Sequence, residues 1–232
     1  MSESGGRVAG LYRYPVKSLA GERVEHLDCD ERGFVGDRVW SVRTANDKIG
    51  SGKNTRRFAA VDDLLLVRAR LDGDRVELRF PDGRRCDVTD DEAAAWLSTH
   101  SGEPLRLAPE STVSHFDDGP VSLLGLDSVG ALSAATGREI DPARFRANVL
   151  LDGLPALAED DLVGQHVAIG DLVLEVTMRS TRCVMIDMAT ADLPAQPGNL
   201  LAVGDMNEAC LGVIARVVQP GRVRLGDRLV PL

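Results

Sequence analysis

Four short groups in this 232-residue chain combine side chain types that hold anions or soft metals. In Ser180-Thr181-Arg182-Cys183, a guanidinium and hydroxyl donors beside a cysteine favour thiolate over thiol. A thiolate is a nucleophile or a soft metal ligand, whereas a cysteine taken alone is commonly small core filler. Tyr14-Pro15-Val16-Lys17-Ser18 places an ammonium and a hydroxyl just after a strand, where backbone donors can join them around a phosphate. A solvated turn lysine is the plainer alternative. In Gly36-Asp37-Arg38-Val39-Trp40, Arg38 opens a strand and can bind phosphate or a planar heterocycle edge bidentately, with Asp37 to orient it. An edge-strand ion pair would explain the same residues. In Arg144-Phe145-Arg146-Ala147-Asn148, strand alternation predicts Arg144, Arg146 and Asn148 on one face with Phe145 packed behind. Such a face reads a planar polar ligand, or is simply a solvated ridge.

The remaining reactive types carry less. His26, His100, His115 and His166 form no ligand pair and are expected to satisfy local hydrogen bonds. The acidic runs Asp62-Asp63, Asp117-Asp118 and Glu159-Asp160-Asp161 read as solvated loops or caps. Cys29, Cys86, Cys183 and Cys210 contain no Cys-x-x-Cys pair, so zinc-ribbon and common iron–sulfur patterns find no support, and four free thiols are expected. A net charge of −9 argues against a nucleic-acid partner or an anionic membrane surface, so any anion site must be local. No stretch is long and apolar enough to span a membrane, and residues 1–6 show no signal-peptide pattern, so the expected location is cytoplasmic.

These groups need elements to position them. Low aromatic content (4%) with abundant Val, Leu and Gly favours short strands closed by tight turns over a helical bundle. Strands are predicted over 7–14, 22–28, 39–43, 64–71, 75–80 and 84–88, the last three joined by Asp72-Gly73-Asp74 and Pro81-Asp82-Gly83 turns. Thr89-Asp90-Asp91-Glu92 caps a short helix that ends near Gly102. Beyond a polar segment over 109–120, the apolar run 121–124 precedes a helix over 128–136, capped by Asp127 and stopped by Gly137. Strands then follow over 148–151, 167–169, 172–178, 211–218 and 223–230. The expected fold is mainly β with a few helices (α+β), as an N-terminal β-barrel-like domain over 1–105 and a C-terminal β-barrel over 106–232.

Taken in order, the four groups and the closing Gly226-Asp227 phrase resemble the MOSC family with its N-terminal β-barrel domain, over almost the whole chain. That resemblance, strongest to the amidoxime-reducing branch, implies molybdenum-cofactor binding. Lys17, Ser18 and Arg38 would hold its phosphate and pterin, and Arg146 and Asn148 would read the pterin. Ser128 would add a hydroxyl, Thr181 and Arg182 would flank the metal, and Cys183 would ligate molybdenum as the catalytic group. Pyridoxal phosphate binding comes with the family only. The implied activity is two-electron reduction of small N-hydroxylated or N-oxide compounds. With no flavin, nicotinamide or ferredoxin-type motif, electrons would come from a separate reductase or ferredoxin-like protein. After Cys183 the family branch is threonine-rich, whereas here Val184-Met185-Ile186-Asp187 follows, which leaves the substrate open. Two other roles stand beside this one. One is a cofactor or sulfur carrier, a sulfurtransferase with a Cys183 persulfide; the other is a non-catalytic β binding module.

Overall fold

The computed structural model describes residues 5–232, so most of the 1–6 segment read above lies outside the described residues. Among the described residues strand predominates over helix, with three α-helices, and the sheets are curled into half-barrels. The largest sheet has eight strands in the order Leu229–Pro231, His166–Ile169, Leu172–Thr181, Cys210–Gln219, Val121–Gly125, Val149–Asp152, Arg7–Arg13 and Glu22–Val24. Its inner face follows from sequence alternation: Leu172, Leu174 and Val176 point inward along one strand and meet Leu123, Leu151 and Ile169 from others. Burial of each such side chain stabilises the fold by about 1.5–3 kcal/mol.

A second unit holds Val16–Lys17 and the strands Trp40–Thr44, Ile49–Ser51, Phe58–Ala60 and Leu105–Pro109 in one sheet. The hairpin strands Arg68–Asp72, Arg75–Arg79 and Arg85–Asp87 form another. Helix α1 (Asp91–Ser101) lays Ala93, Trp96 and Leu97 on this unit's core, and Gly102 ends it in the left-handed region. Helices α2 (Leu126–Thr136) and α3 (Asn199–Asn207) cover the far side of the large sheet around Leu132, Phe145 and Val203.

Chain order and sheet membership do not coincide. Arg7–Arg13 pairs with Val149–Asp152 in the large sheet, and His26–Cys29 pairs with Gly221–Arg224 in a separate two-stranded sheet, so these two early strands are tied to the C-terminal half. Leu105–Pro109 pairs back onto Trp40–Thr44.

Several local expectations are corrected. The 223–230 run is broken by a turn at Gly226, where φ is 89°. The 64–71 run begins as a 3-10 turn over Leu64–Leu66. Gly125, not Asp127, takes the N-cap of α2, and Asp127 lies in its first turn.

Candidate cofactor cleft

The end of the longest core strand delivers the cysteine. Leu172–Thr181 pairs with Cys210–Gln219 until Thr181 faces Cys210, and Arg182 N–H then donates to the Ala209 carbonyl at 2.7 Å. Cys183 follows, half-buried, at the start of the 3-10 turn Val184–Ile186. Arg182 turns inward, its Nε donating to the Leu211 carbonyl at 2.7 Å and its Nη1 to the Phe145 carbonyl at 2.8 Å. Gly212 makes room for it. Its φ is 79°, and a Cβ there would stand 2.5 Å from the Leu123 carbonyl oxygen and 3.1 Å from Arg182 Nη2. Burial lowers the Arg182 pKa to about 10, opposed by Cys183, Cys210 and Glu159, so the guanidinium stays charged at neutral pH.

The cations come from two zipped segments. Arg38 N–H donates to the Tyr14 carbonyl at 2.7 Å and Trp40 N–H to Pro15 at 3.1 Å, while Val16–Lys17 runs parallel to Trp40–Ser41. This brings Lys17, Ser18 and Arg38 to one wall. Arg38 is paired with the wholly buried Asp37, which also accepts from Tyr14 N–H at 2.7 Å. Burial lowers the Arg38 pKa, but Asp37 and Tyr14 outweigh it and the net shift is upward. The Tyr14 ring lies within cation–π reach of both guanidiniums, its centroid 4.9 Å from the Arg38 guanidinium carbon and 4.3 Å from that of Arg146. Burial raises the Tyr14 pKa despite both arginines, so it remains a neutral phenol.

Arg146 does not stand on a strand. Asp141 accepts from Ala143 N–H at 2.8 Å and Pro142 takes the first turn position, so Pro142–Phe145 forms a 3-10 turn and Arg146 terminates it at φ 53°. The predicted alternation is thus replaced by a turn, and Phe145 shares the cleft wall with Arg144 and Arg146. Arg146 Nη1 donates to the Leu19 carbonyl at 2.6 Å, tying the two units together. Burial lowers its pKa to about 10.

Lys17, Ser18, Arg38, Arg146, Thr181, Arg182 and Cys183 all line one open cleft, a space of about 790 Å³ with the adjoining solvent included. Two proposed cofactor residues lie elsewhere. Ser128 is wholly buried in the first turn of α2, where its hydroxyl donates to Glu159 Oε2 at 2.7 Å and accepts from Leu157 N–H at 2.8 Å. Asn148 is also buried, and its amide is taken up by Ser122 at 2.9 Å and the Tyr12 carbonyl at 3.2 Å, locking strands behind the wall.

The sequence reading also missed residues. Lys53 and Asp117 line the cleft beside Arg144, which the sequence had placed on the ligand-reading face, giving it six cationic side chains against the carboxylates of Asp117 and Asp118. That is a local positive site in a chain of net charge −9. Asp117, expected as a solvated carboxylate, is partly exposed but also bridges Lys17 and Lys53, the latter at 3.3 Å. Burial opposes its ionisation, but Lys17, Lys53 and Arg38 bring its pKa down to about 2. Burial takes Lys17 down to about 8, against the pull of Asp117. Glu159, also read as solvated, is wholly buried and accepts from Gly125 N–H at 3.1 Å.

Two observations test whether an anionic pterin cofactor suits this cleft. The Ser18 hydroxyl is buried at the cleft wall without a partner among the described residues, as an oxygen awaiting an acceptor would be. Ser18, Arg38 and Arg146 hold φ of 68°, 52° and 53°, left-handed conformations that cost about 1–3 kcal/mol each and cluster at functional sites. The donor set fits.

Known proteins align with this chain. A family model described as MOSC domain matches residues 99–230, and one described as MOSC N-terminal beta barrel domain matches residues 5–101. The molybdenum cofactor sulfurase of Caenorhabditis elegans is 26% identical over 85% of this chain, which spans only 31% of that protein. Mitochondrial amidoxime-reducing component 1 of Mus musculus is 25% identical over 96% of this chain and 81% of its own length. For the Homo sapiens protein of that name the figures are 23%, 78% and 65%. The YuaD protein from Bacillus subtilis shares the fold, with a TM-score of 0.54 over 97% of this chain and 94% of its own, at 17% identity.

Proposed function

This chain belongs to the MOSC family, and from that premise we propose that it binds the molybdenum cofactor and reduces N-hydroxylated or N-oxide compounds. The observation that carries the reading is the convergence of Cys183 with Lys17, the unpartnered Ser18 hydroxyl, Arg38 and Arg146 in a single cleft. Lys17 and Ser18 would hold the phosphate end, Arg38 and Arg146 the pterin, and Cys183 the metal, with Thr181 and Arg182 beside it. Bound there, the cofactor would supply two-electron redox chemistry at a thiolate-ligated molybdenum.

The chain's own residues do the positioning. Arg182, fixed by two carbonyls, keeps a cation beside the Cys183 sulfur. The Tyr14 ring makes cation–π contact with both the Arg38 and Arg146 guanidiniums, which favours their charged forms. Phe145, Met185, Ile186 and Ile214 give the cleft an apolar side that excludes water and accepts the carbon skeleton of a small substrate. Electrons would come from a separate reductase or ferredoxin-like protein in the cytoplasm. No helix of the described residues is long and apolar enough to cross a membrane.

The test is metal and pterin analysis of wild type and Cys183→Ala made in a cofactor-competent host, followed by amidoxime reduction with chemically reduced protein. Wild type carries molybdenum and turns over; the variant carries none. Molybdenum retained by a folded Cys183→Ala protein rejects the ligation. The similarity to molybdenum cofactor sulfurase favours a second reading, a sulfur or cofactor carrier. That reading predicts a Cys183 persulfide by mass spectrometry on protein free of molybdenum.

A further inference from the structure

The phosphate end of the cleft already contains an anion. Lys17 is 4% exposed, and the Asp117 carboxylate is its one polar partner among the described residues. The other Asp117 oxygen takes Lys53, and both ammoniums stand over the Phe58 ring, 5.2 and 4.9 Å from its centroid. Asp117 belongs to the 110–120 connection between the two units, and its side chain is 38% exposed, with an open route to solvent. On the same cleft wall the buried Ser18 hydroxyl has no partner among the described residues. A carboxylate offers two oxygens and one charge, which leaves lysine donors and this hydroxyl unused. A phosphate monoester dianion offers three oxygens and a second charge.

We infer that Asp117 is a resident counter-anion of this site, which a phosphate monoester must displace, so that only a dianion competes well for Lys17, Lys53 and Ser18. This rests on the reading that the cleft receives the phosphate end of the cofactor. The neighbouring Asp118 also lines the cleft but makes no ion pair among the described residues, and so serves as a charge control.

The experiment titrates inorganic phosphate into cofactor-free wild type, Asp117→Asn and Asp118→Asn by calorimetry at neutral pH, with thermal unfolding confirming that each is folded. Removal of the competing charge-assisted contact tightens phosphate binding by about tenfold or more in Asp117→Asn. Asp118→Asn changes it by no more than about twofold, since an unpaired charge at the mouth is screened. Unchanged or weaker binding in Asp117→Asn overturns the inference, and so does an equal gain in Asp118→Asn. Cofactor-loaded wild type separates the sources of phosphate: blocked titration assigns the site to the cofactor's own phosphate, and undiminished binding rejects that assignment. Molybdenum absent from wild type together with tighter phosphate binding in Asp117→Asn sinks the cofactor reading and leaves this inference standing. Molybdenum present with no gain in Asp117→Asn does the reverse.

Discussion

Acid should unlock the 110–120 connection from the cleft through one buried histidine. His115 is wholly buried, its Nδ1 lying 3.0 Å from the Arg38 carbonyl and its Nε2 3.0 Å from the Ser41 hydroxyl and 3.1 Å from Arg43 Nη2. A carbonyl only accepts and a guanidinium only donates, so the ring is neutral with its proton on Nδ1. A second proton would face Arg43. Burial, then Arg43, lower the His115 pKa from 6.5 to about 4. Between those values the unfolded chain binds the proton and the folded chain does not, so stability falls as pH falls through that window. At 1.36 kcal/mol per unit, the full loss is about 3 kcal/mol by pH 4. Asp117, whose pKa drops from 3.8 to about 2, loses its contribution only below that window and does not confuse the measurement.

Urea unfolding from about pH 7 to about pH 4.5 on wild type and His115→Gln measures the effect. A glutamine amide can still donate to one neighbour and accept from the other, so the variant folds and its acid slope is smaller by the His115 contribution. Equal slopes in the two proteins would refute the reasoning, as would an NMR titration placing His115 at its ordinary value.

Other perturbations follow from the same geometry. Gly212→Ala forces a methyl toward the Leu123 carbonyl at a φ of 79°, so it loses about 2 kcal/mol or more in chemical denaturation and, by displacing Arg182, lowers molybdenum content. Ser128→Ala leaves buried Glu159 short of a donor and lowers stability by about 1–3 kcal/mol, yet molybdenum content is unchanged because the residue lies outside the cleft. Lys17, with a folded pKa of about 8, loses its charge as pH rises past that value. Phosphate affinity of the cofactor-free protein therefore falls steadily above about pH 8, as calorimetry at neutral and alkaline pH would show.

What the sequence revealed follows from which physical signals are local. Alternation at Leu172, Leu174 and Val176 marks a strand because its period is set by the pleat, and the strand runs on to Thr181 as the scaffold for Cys183. Lys17, Arg38 and Arg182 were visible as cations beside strands, and all three reach the cleft. Arg146 was found for the wrong reason. The Asp141-Pro142 pair before it is a helix-start signal, and the turn it begins places Arg146 by a left-handed terminus instead of by alternation. Helix α3 escaped notice because Gly198 at its N-cap offers no capping side chain and Gly204 interrupts its middle. Asp117 and Lys53 were illegible, since their meeting with Lys17 depends on how the 110–120 connection packs between the units.

That packing also explains why neither unit alone would carry the cleft. Lys17, Ser18, Arg38 and Lys53 come from the first hundred residues, whereas Arg146, Arg182 and Cys183 come from the rest. The halves are joined at the site itself: Arg38 Nη2 donates to the Arg146 carbonyl at 3.2 Å, Arg146 donates back to Leu19, and both guanidiniums contact the Tyr14 ring. Burial penalises the Arg146 charge most and Arg38 adds repulsion, so the cleft stores unfavourable electrostatics as well as strained backbone at Ser18, Arg38 and Arg146. An anionic ligand bridging the two halves relieves the charge term directly. Ligand loading should therefore raise thermal stability more than a ligand held by one unit would, through linkage between binding and the interface. Arg146→Met, which removes that repulsion while keeping an unbranched side chain, should stabilise the cofactor-free protein relative to wild type and abolish the gain on loading. A variant that is less stable without cofactor, or that keeps the full gain, would show that the arginine pair is structural and that the ligand does not bridge the halves.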